Sequence, residues 1–338
     1  PGGHAIAGCV ATAMAQVLFY YRYPVHGEGA NGFMSEYGYE YVDFEEAEYR
    51  WDEMVNAVYG LHNPEVAELI YHVGVAVEMN YGPASSGAAT EETVDALKDH
   101  FRYGEQVHYI SKFDLGDAFR DSVIANLNMR RVMIYRGGNF TSGHSFVCDG
   151  YQDSTWFHFN WGWDGNYNGY YTMENLNPNI YDFTFDQGAV INIYPREDYP
   201  PYCQGQQQLV SSRGTFTDGS GPETCPDDLN CSWLISPDDP EVNNIMLWFP
   251  RFETGEGGVL SVYDGISSLA PLLGQFTGDD PLPTLVSTGS NLFIAFETSS
   301  GNACQGWQAE FLAYSGPFCT PLSQLNARSI SYILSLIH

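Results

Sequence analysis

The chain has 338 residues, enough for about two domains, and its 44% hydrophobic and 15% aromatic content supports packed cores, not a disordered tail. With 13 Lys and Arg against 42 Asp and Glu, the net charge is −29. Such a surface repels phosphate backbones and anionic lipid, which sets nucleic-acid and membrane-surface roles aside, and no run reaches the roughly 18 apolar residues of a membrane span.

The chain starts at Pro1, eight residues before Cys9, and reads as a processed or truncated fragment whose missing targeting signals carry no meaning. Apolar residues at Val10, Met14, Val17, Leu18 and Tyr21 predict an amphipathic helix ended by Tyr23-Pro24. Gly8 supplies a flexible entry, so Cys9 stands at the helix N-terminus, where free N–H groups and the helix dipole favour a thiolate. A second helix is expected over "TEETVDALKDHF", with Thr90 as N-cap and Glu91, Glu92 and Asp95 in its acidic first turn.

The segment "TSGHSFVCDGYQDSTWFHFNWGWDG" reads as strand, turn, strand. His144 opens the first strand after Ser142-Gly143, and Asn160 ends the second. A turn centred on Gln152 places Asn160 directly across from His144. A thiolate, a general base and an amide to orient that base are the parts of a cysteine hydrolase, and Trp161 and Trp163 would roof the pair. Cys148 lies in an apolar run and reads as a free core thiol; His158 alternates with apolar residues and reads as structural.

Composition changes near residue 197. The first part mixes helices with later strands and reads as α+β. Beyond the Pro-rich linker Tyr199–Tyr202, short runs predict strands: Cys231–Ile235, Ile245–Phe249, Val259–Tyr263, Leu292–Phe296 and Trp307–Leu312. Gly, Pro, Asp and Ser clusters separate them, the pattern of an antiparallel sandwich. Cys9 and Cys148 belong to the first part; Cys203, Cys225, Cys231, Cys304 and Cys319 belong to the second. Cysteines clustered in a sandwich suggest disulfides and an oxidising, extracellular setting. Sequence alone leaves the pairing open, and Cys203–Cys231 with Cys225–Cys304 are the pairs expected here. "YCQGQQQLVSSRGTF" from Tyr202 is echoed by "FCTPLSQLNARSISY" from Phe318, so Cys319 opens what reads as a truncated second repeat. Cys225 and Cys231 lack the short spacing of a zinc site, and no metal or cofactor is expected.

Four segments in order, "GCVATAMAQVLFYYRYP", "MNYGPASSGA", "SGHSFVCDGY" and "FHFNWGWDGNYNGYYTMENLNP", resemble the streptopain family of papain-like cysteine peptidases, over residues 1 to about 195. The resemblance implies Cys9 as nucleophile and His144 as general base and acid. It places the Ser85-Ser86-Gly87 loop and Gly143 along the substrate cleft, and Trp163, roofing the pair, is counted with them as substrate-binding. The group that orients His144 stays open between Asn160 and Trp161. The family's oxyanion glutamine would lie upstream of the first residue of this chain; Gln16, two turns down the helix, is no substitute. Its inhibitory propeptide would lie outside this chain as well. Residues 202 to 314 resemble a CUB domain through "CSWLISP", "IMLWFPRFET", "SVYDG" and "STGSNLFIAFETSS". Many CUB domains bind calcium through acidic residues, but Gly255, Gly258 and Ser299 stand at the matching positions. Glu253 and Glu256 alone do not make such a site. Trp248 and Trp307 are read as sandwich packing.

The expected architecture is an α+β papain-like peptidase domain (1–197), a CUB-like antiparallel sandwich (198–315) and the start of a second repeat (316–338). The expected function is that of a secreted bacterial cysteine endopeptidase acting on protein or peptide substrates, its CUB-like domain taking a surface or protein ligand. Two rival readings are a binding protein on an inactive peptidase scaffold and an acyl transferase of the transglutaminase kind. The second of these wants an Asp partner in place of the "NWGW" segment.

Overall fold

The structure is a computed structural model that describes residues 5–57, 62–139, 142–196, 198–301 and 304–316. The truncated second repeat expected at 316–338, with Cys319, falls almost wholly outside the described residues. The chain divides into two compact units. Among the described residues, one draws on 5–49 and 64–196, the other on 50–57, 62–63 and 198–316.

The first unit opens with α1 (Cys9–Tyr21), entered from Gly8 at φ 90° and closed by Arg22 in the left-handed region, whose N–H donates to Leu18 O. The spacing seen in sequence is the buried stripe: Val10, Met14, Val17, Leu18 and Tyr21 are all inside. A hairpin of β1 (Ala30–Ser35) and β2 (Gly38–Asp43) follows, then α2 (Pro64–Ala76) and α3 (Glu92–Asp99). Thr90 does not cap α3. Glu91 holds the cap position, and the Thr90 hydroxyl turns inward to lie 2.7 Å from that of Ser145.

The site is carried by a six-stranded antiparallel sheet. Its strands are β3 (His108–Ser111), β4 (Met133–Gly138), β5 (Gly143–Gln152), β6 (Trp156–Asn160), β7 (Gly169–Tyr171) and β8 (Phe185–Ile191), in the order β3-β8-β4-β5-β6-β7. Short α4 (Lys112–Leu115) and α5 (Ala118–Asn128) complete this unit. Phe119 and Val123 of α5 bury one face of the sheet with Tyr135, Phe146, Cys148, Phe157, Phe159 and Trp161.

The β5–β6 hairpin departs from the register read in sequence. Its turn runs over Asp153 and Ser154, both at left-handed φ, a pattern that matches the twist of paired strands. A bulge then inserts Asp149 between the pairs Cys148↔Phe159 and Gly150↔His158. Asn160 therefore opposes Val147, while His144 pairs with Gly137 of β4. His158, expected to be structural, spans the bulge: its Nδ1 lies 2.6 Å from the Asp149 carboxylate, both side chains being buried.

The second unit is a sandwich. Five strands, β9 (Gly205–Leu209), β11 (Asn230–Ile235), β13 (Gly255–Tyr263), β14 (Leu272–Gly278) and β16 (Leu292–Thr298), run in the order β14-β13-β16-β11-β9. The other layer is β10-β17-β12-β15, from β10 (Arg213–Thr217), β12 (Asn244–Glu253), β15 (Leu285–Val286) and β17 (Gly306–Tyr314). Strand β10 is an edge of that layer, and the Asp52 carbonyl, from the segment grouped with this unit, accepts the Thr215 N–H at 3.0 Å. That contact satisfies part of an otherwise open edge. Trp233 and Trp307 meet edge to face at 4.9 Å in the core; Trp307 is packing, as expected, and Trp248 is half-buried. The disulfides are Cys203–Cys231 and Cys225–Cys304, the two pairs expected, and Cys9 and Cys148 are free.

Candidate active site

Cys9 is the first residue of α1 and is half-buried. The first N–H groups of a helix have no intrahelical acceptor and present a partial positive charge, so the thiol stands where negative charge is favoured. The backbone ahead of it is tightly held. A Cβ on Gly8 would stand 2.8 Å from Met79 Sδ and 3.3 Å from Ser86 Cβ, and φ there is 90°. Ile6 N–H donates to Gly82 O at 3.2 Å. The loop from Asn80 to Gly87 closes by a two-way backbone bridge, with Ser86 Oγ accepting the Gly82 N–H. These contacts bring the predicted Ser85-Ser86-Gly87 loop against the entry to Cys9, with Ser85 and Gly87 exposed and Ser86 half-buried.

Down α1, positions 9, 12 and 16 share one face. A Cβ on Gly162 would lie 3.1 Å from Thr12 Cγ2, and Gln16 Nε2 reaches Asn160 Oδ1 at 3.5 Å. The face that begins at Cys9 therefore runs along residues 160–162. Trp161, between them, is the residue that holds His144. Its carbonyl accepts the His144 Nε2–H at 2.9 Å. A carbonyl can only accept, so neutral His144 carries its proton on Nε2 and keeps the lone pair on Nδ1.

This geometry separates the two residues between which the orienting role stood open. Residues 144, 146 and 148 of β5 share a face with Phe159 and Trp161, whereas Asn160 shares the other face with Val147. Asn160 Oδ1 accepts the Gly162 N–H at 3.1 Å and so shapes the turn after β6. Trp161 is fully buried and anchored on three sides: its N–H donates to Asn168 Oδ1 and its indole N–H to Tyr167 O, both at 3.0 Å, in addition to its bond with His144.

The imidazole is boxed by rings. Trp163 stacks on it at 4.9 Å and 24°, Phe183 lies at 5.2 Å and Phe146 at 5.6 Å. Burial lowers the His144 pKa from its ordinary value of 6.5, and the bond to the Trp161 carbonyl opposes this in part. Gly143, exposed, opens β5 opposite Gly138. Phe183 was not legible in sequence because it lies in a long loop with no periodicity to point inward. Cys148 is wholly buried, and burial pushes its thiol well above the ordinary range; it is a core thiol. Among the described residues, the one group of close metal-ligand types is Asp218 with Cys225 and Cys304, whose sulfurs are joined to each other.

A cysteine heading a helix, and a histidine on an antiparallel sheet held by the segment that the helix packs against, are parts that a cysteine peptidase of α+β fold uses. Residues 1–171 match the Peptidase C10 family model, and the chain belongs to that family. Residues 203–311 match the CUB domain. Over 214 residues, 57% of this chain, it is 31% identical to streptopain of Streptococcus pyogenes, of which it covers 54%. It is 31% identical over 215 residues to the thiol protease/hemagglutinin PrtT of Porphyromonas gingivalis, covering 59% of this chain and 25% of that one. The active interpain A cysteine protease of Prevotella intermedia superposes with a TM-score of 0.52 at 35% identity, covering 56% of this chain and 85% of that one. The chain spans about half the length of the streptopain it matches.

Proposed function

We propose that the protein is a secreted cysteine endopeptidase in which Cys9 is the nucleophile and His144 the general base and acid. The observation that carries this reading is the convergence on residues 160–162: the Cys9 face of α1 packs along them and the Trp161 carbonyl fixes the His144 tautomer. His144 Nδ1 takes the thiol proton, and the thiolate attacks the peptide carbonyl carbon. As the C–N bond breaks, the imidazolium returns its proton to the departing amine, leaving a thioester on Cys9. Water, deprotonated by His144, then hydrolyses the thioester and releases the acid. N–H groups of the first turn of α1 face the oxyanion. Trp161 acts through its carbonyl as a positioning residue, and Asn160 holds the turn.

The Ser85-Ser86-Gly87 loop, Gly143 and Trp163 line the cleft for the peptide. The peptidase domain spans 1–197 and the CUB-like sandwich 198–315, the latter docking a surface or protein ligand. The sandwich's two disulfides favour a secreted, extracellular setting. The test is hydrolysis of fluorescein-labelled casein by the full chain and its variants. Cys9→Ala and His144→Ala are expected to abolish cleavage while Cys148→Ala retains it. A Cys9→Ala protein as active as the parent would overturn the assignment.

A further inference from the structure

The aromatic box around His144 continues into solvent. In the loop between β7 and β8, Ile180 is 83% exposed and Tyr181 46% exposed, on a turn where Tyr181 N–H donates to Pro178 O at 3.1 Å. The Tyr181 ring is fixed on both sides: it stacks on Phe183 at 5.8 Å and 7°, and meets Trp163 at 5.2 Å. Phe183 and Trp163 are two of the rings that enclose the imidazole. An apolar surface thus runs from His144 through Trp163 and Tyr181 to Ile180. What marks this surface is its continuity with the rings around His144, since a single exposed aliphatic side chain carries no meaning by itself.

We infer that Trp163, Tyr181 and Ile180 form a ledge for an apolar side chain on the residue immediately C-terminal to the scissile bond. This rests on the Cys9–His144 reading above, and the chemistry of that reading supplies the direction. His144 protonates the leaving nitrogen, so that nitrogen stands within hydrogen-bond reach of the imidazole as the bond breaks. The acyl part stays on Cys9, and the departing part leaves past the rings that flank His144. The first side chain of the departing part is one carbon removed from the nitrogen, which puts it beside Trp163 and Tyr181. The ledge offers ring faces and an aliphatic tip and no cation. The neighbouring Asp182 keeps its negative charge, since hydrogen bonds from Thr184 lower its pKa. Leucine or phenylalanine is therefore favoured at that substrate position, and aspartate is rejected.

The test uses the full chain and internally quenched peptides that differ only in the residue after the scissile bond, Leu, Phe, Gly or Asp. The simple peptidyl amide with the same preceding residues, whose leaving group is ammonia, is run beside them. The parent is expected to prefer Leu or Phe to Gly by about tenfold in kcat/KM, the scale of discrimination that an apolar contact gives. Ile180→Ser, at an exposed position, and Tyr181→Ala are expected to collapse that ratio to about twofold. Their loss on the Leu peptide should exceed their loss on the simple amide several-fold. Equal losses on both substrates, or a Leu/Gly ratio that the variants leave intact, would overturn the ledge while the peptidase reading stands. A parent that cleaves neither substrate class overturns the peptidase reading, and the ledge with it.

Discussion

His144 takes its orientation from a main-chain carbonyl, and the consequences can be tested one side chain at a time. Were Asn160 the group that fixes the imidazole, its removal would cost about 10⁴ in rate, as loss of a tautomer-fixing partner does elsewhere. With the Trp161 carbonyl in that role, Asn160→Ala is expected to keep casein cleavage within about tenfold of the parent, since only the bond to Gly162 N–H and the weak one from Gln16 are lost. A second consequence concerns the titration of His144. Burial is the main cause of its lowered pKa and Trp163 is its nearest ring, so Trp163→Ala is expected to raise the midpoint toward the ordinary value of 6.5. NMR titration of the imidazole in a Cys9→Ala background reads it directly, and an unmoved or lowered midpoint would contradict that cause. Cys9 and His144 were both legible as residues in a motif. The carbonyl was not, because a backbone acceptor has no letter in the sequence, and Asn160 lost its place across from His144 because the turn falls at Asp153 and Ser154 instead of Gln152 and the Asp149 bulge then puts it on the other face.

At the scale of elements, helix α1 and the five apolar strand cores of the sandwich were readable from period and alternation. Strand β9 was not, since four of its five residues are exposed and leave no apolar face to recognise. The grouping of Arg50–Asn63 with the sandwich is a long-range outcome that local pattern does not encode. Helix α2 carries a consequence for stability. His72 is buried beside the Tyr49 hydroxyl at 3.1 Å, and burial lowers its pKa from 6.5 to about 4. The folded state therefore binds fewer protons than the unfolded one between these values. Stability from this source is complete above about pH 6.5 and falls as pH drops toward 4, by roughly 3 kcal/mol at most. His72→Gln, which retains a partner for Tyr49, is expected to flatten the fall in urea-unfolding stability of the first unit between pH 7 and pH 5. A variant with the parent's full slope would remove His72 as the cause.

Across the whole molecule, the second unit is expected to answer pH and reductant differently from the first. Asp218 is wholly buried there, and burial raises its pKa although Arg251, the Trp307 N–H and Ser220 oppose it. One carboxyl oxygen has no hydrogen-bond partner. A raised carboxyl pKa means stability that is present below the ordinary value of 3.8 and lost as pH rises through the raised one. Asp218→Asn preserves an oxygen for Trp307 N–H and Ser220 and removes the charge. It is expected to raise the second unit's melting temperature at pH 7.5, with the gain fading in acid. Calorimetry at the two pH values checks this, and a lowered melting temperature at pH 7.5 would contradict it. Both disulfides also lie in this unit, so reduction is expected to lower its transition, at about 2–5 kcal/mol for each bond, and to spare the first.

The central claim is that Cys9 and His144 work as one activated pair. The most direct measurement is covalent labelling of the full, folded chain by an epoxysuccinyl peptidase probe, located by peptide mass spectrometry. The expected result is labelling at Cys9, none at the buried Cys148, no label in Cys9→Ala and at least tenfold slower labelling in His144→Ala. A folded protein that leaves Cys9 unlabelled, or labels it equally fast without His144, would contradict the pair.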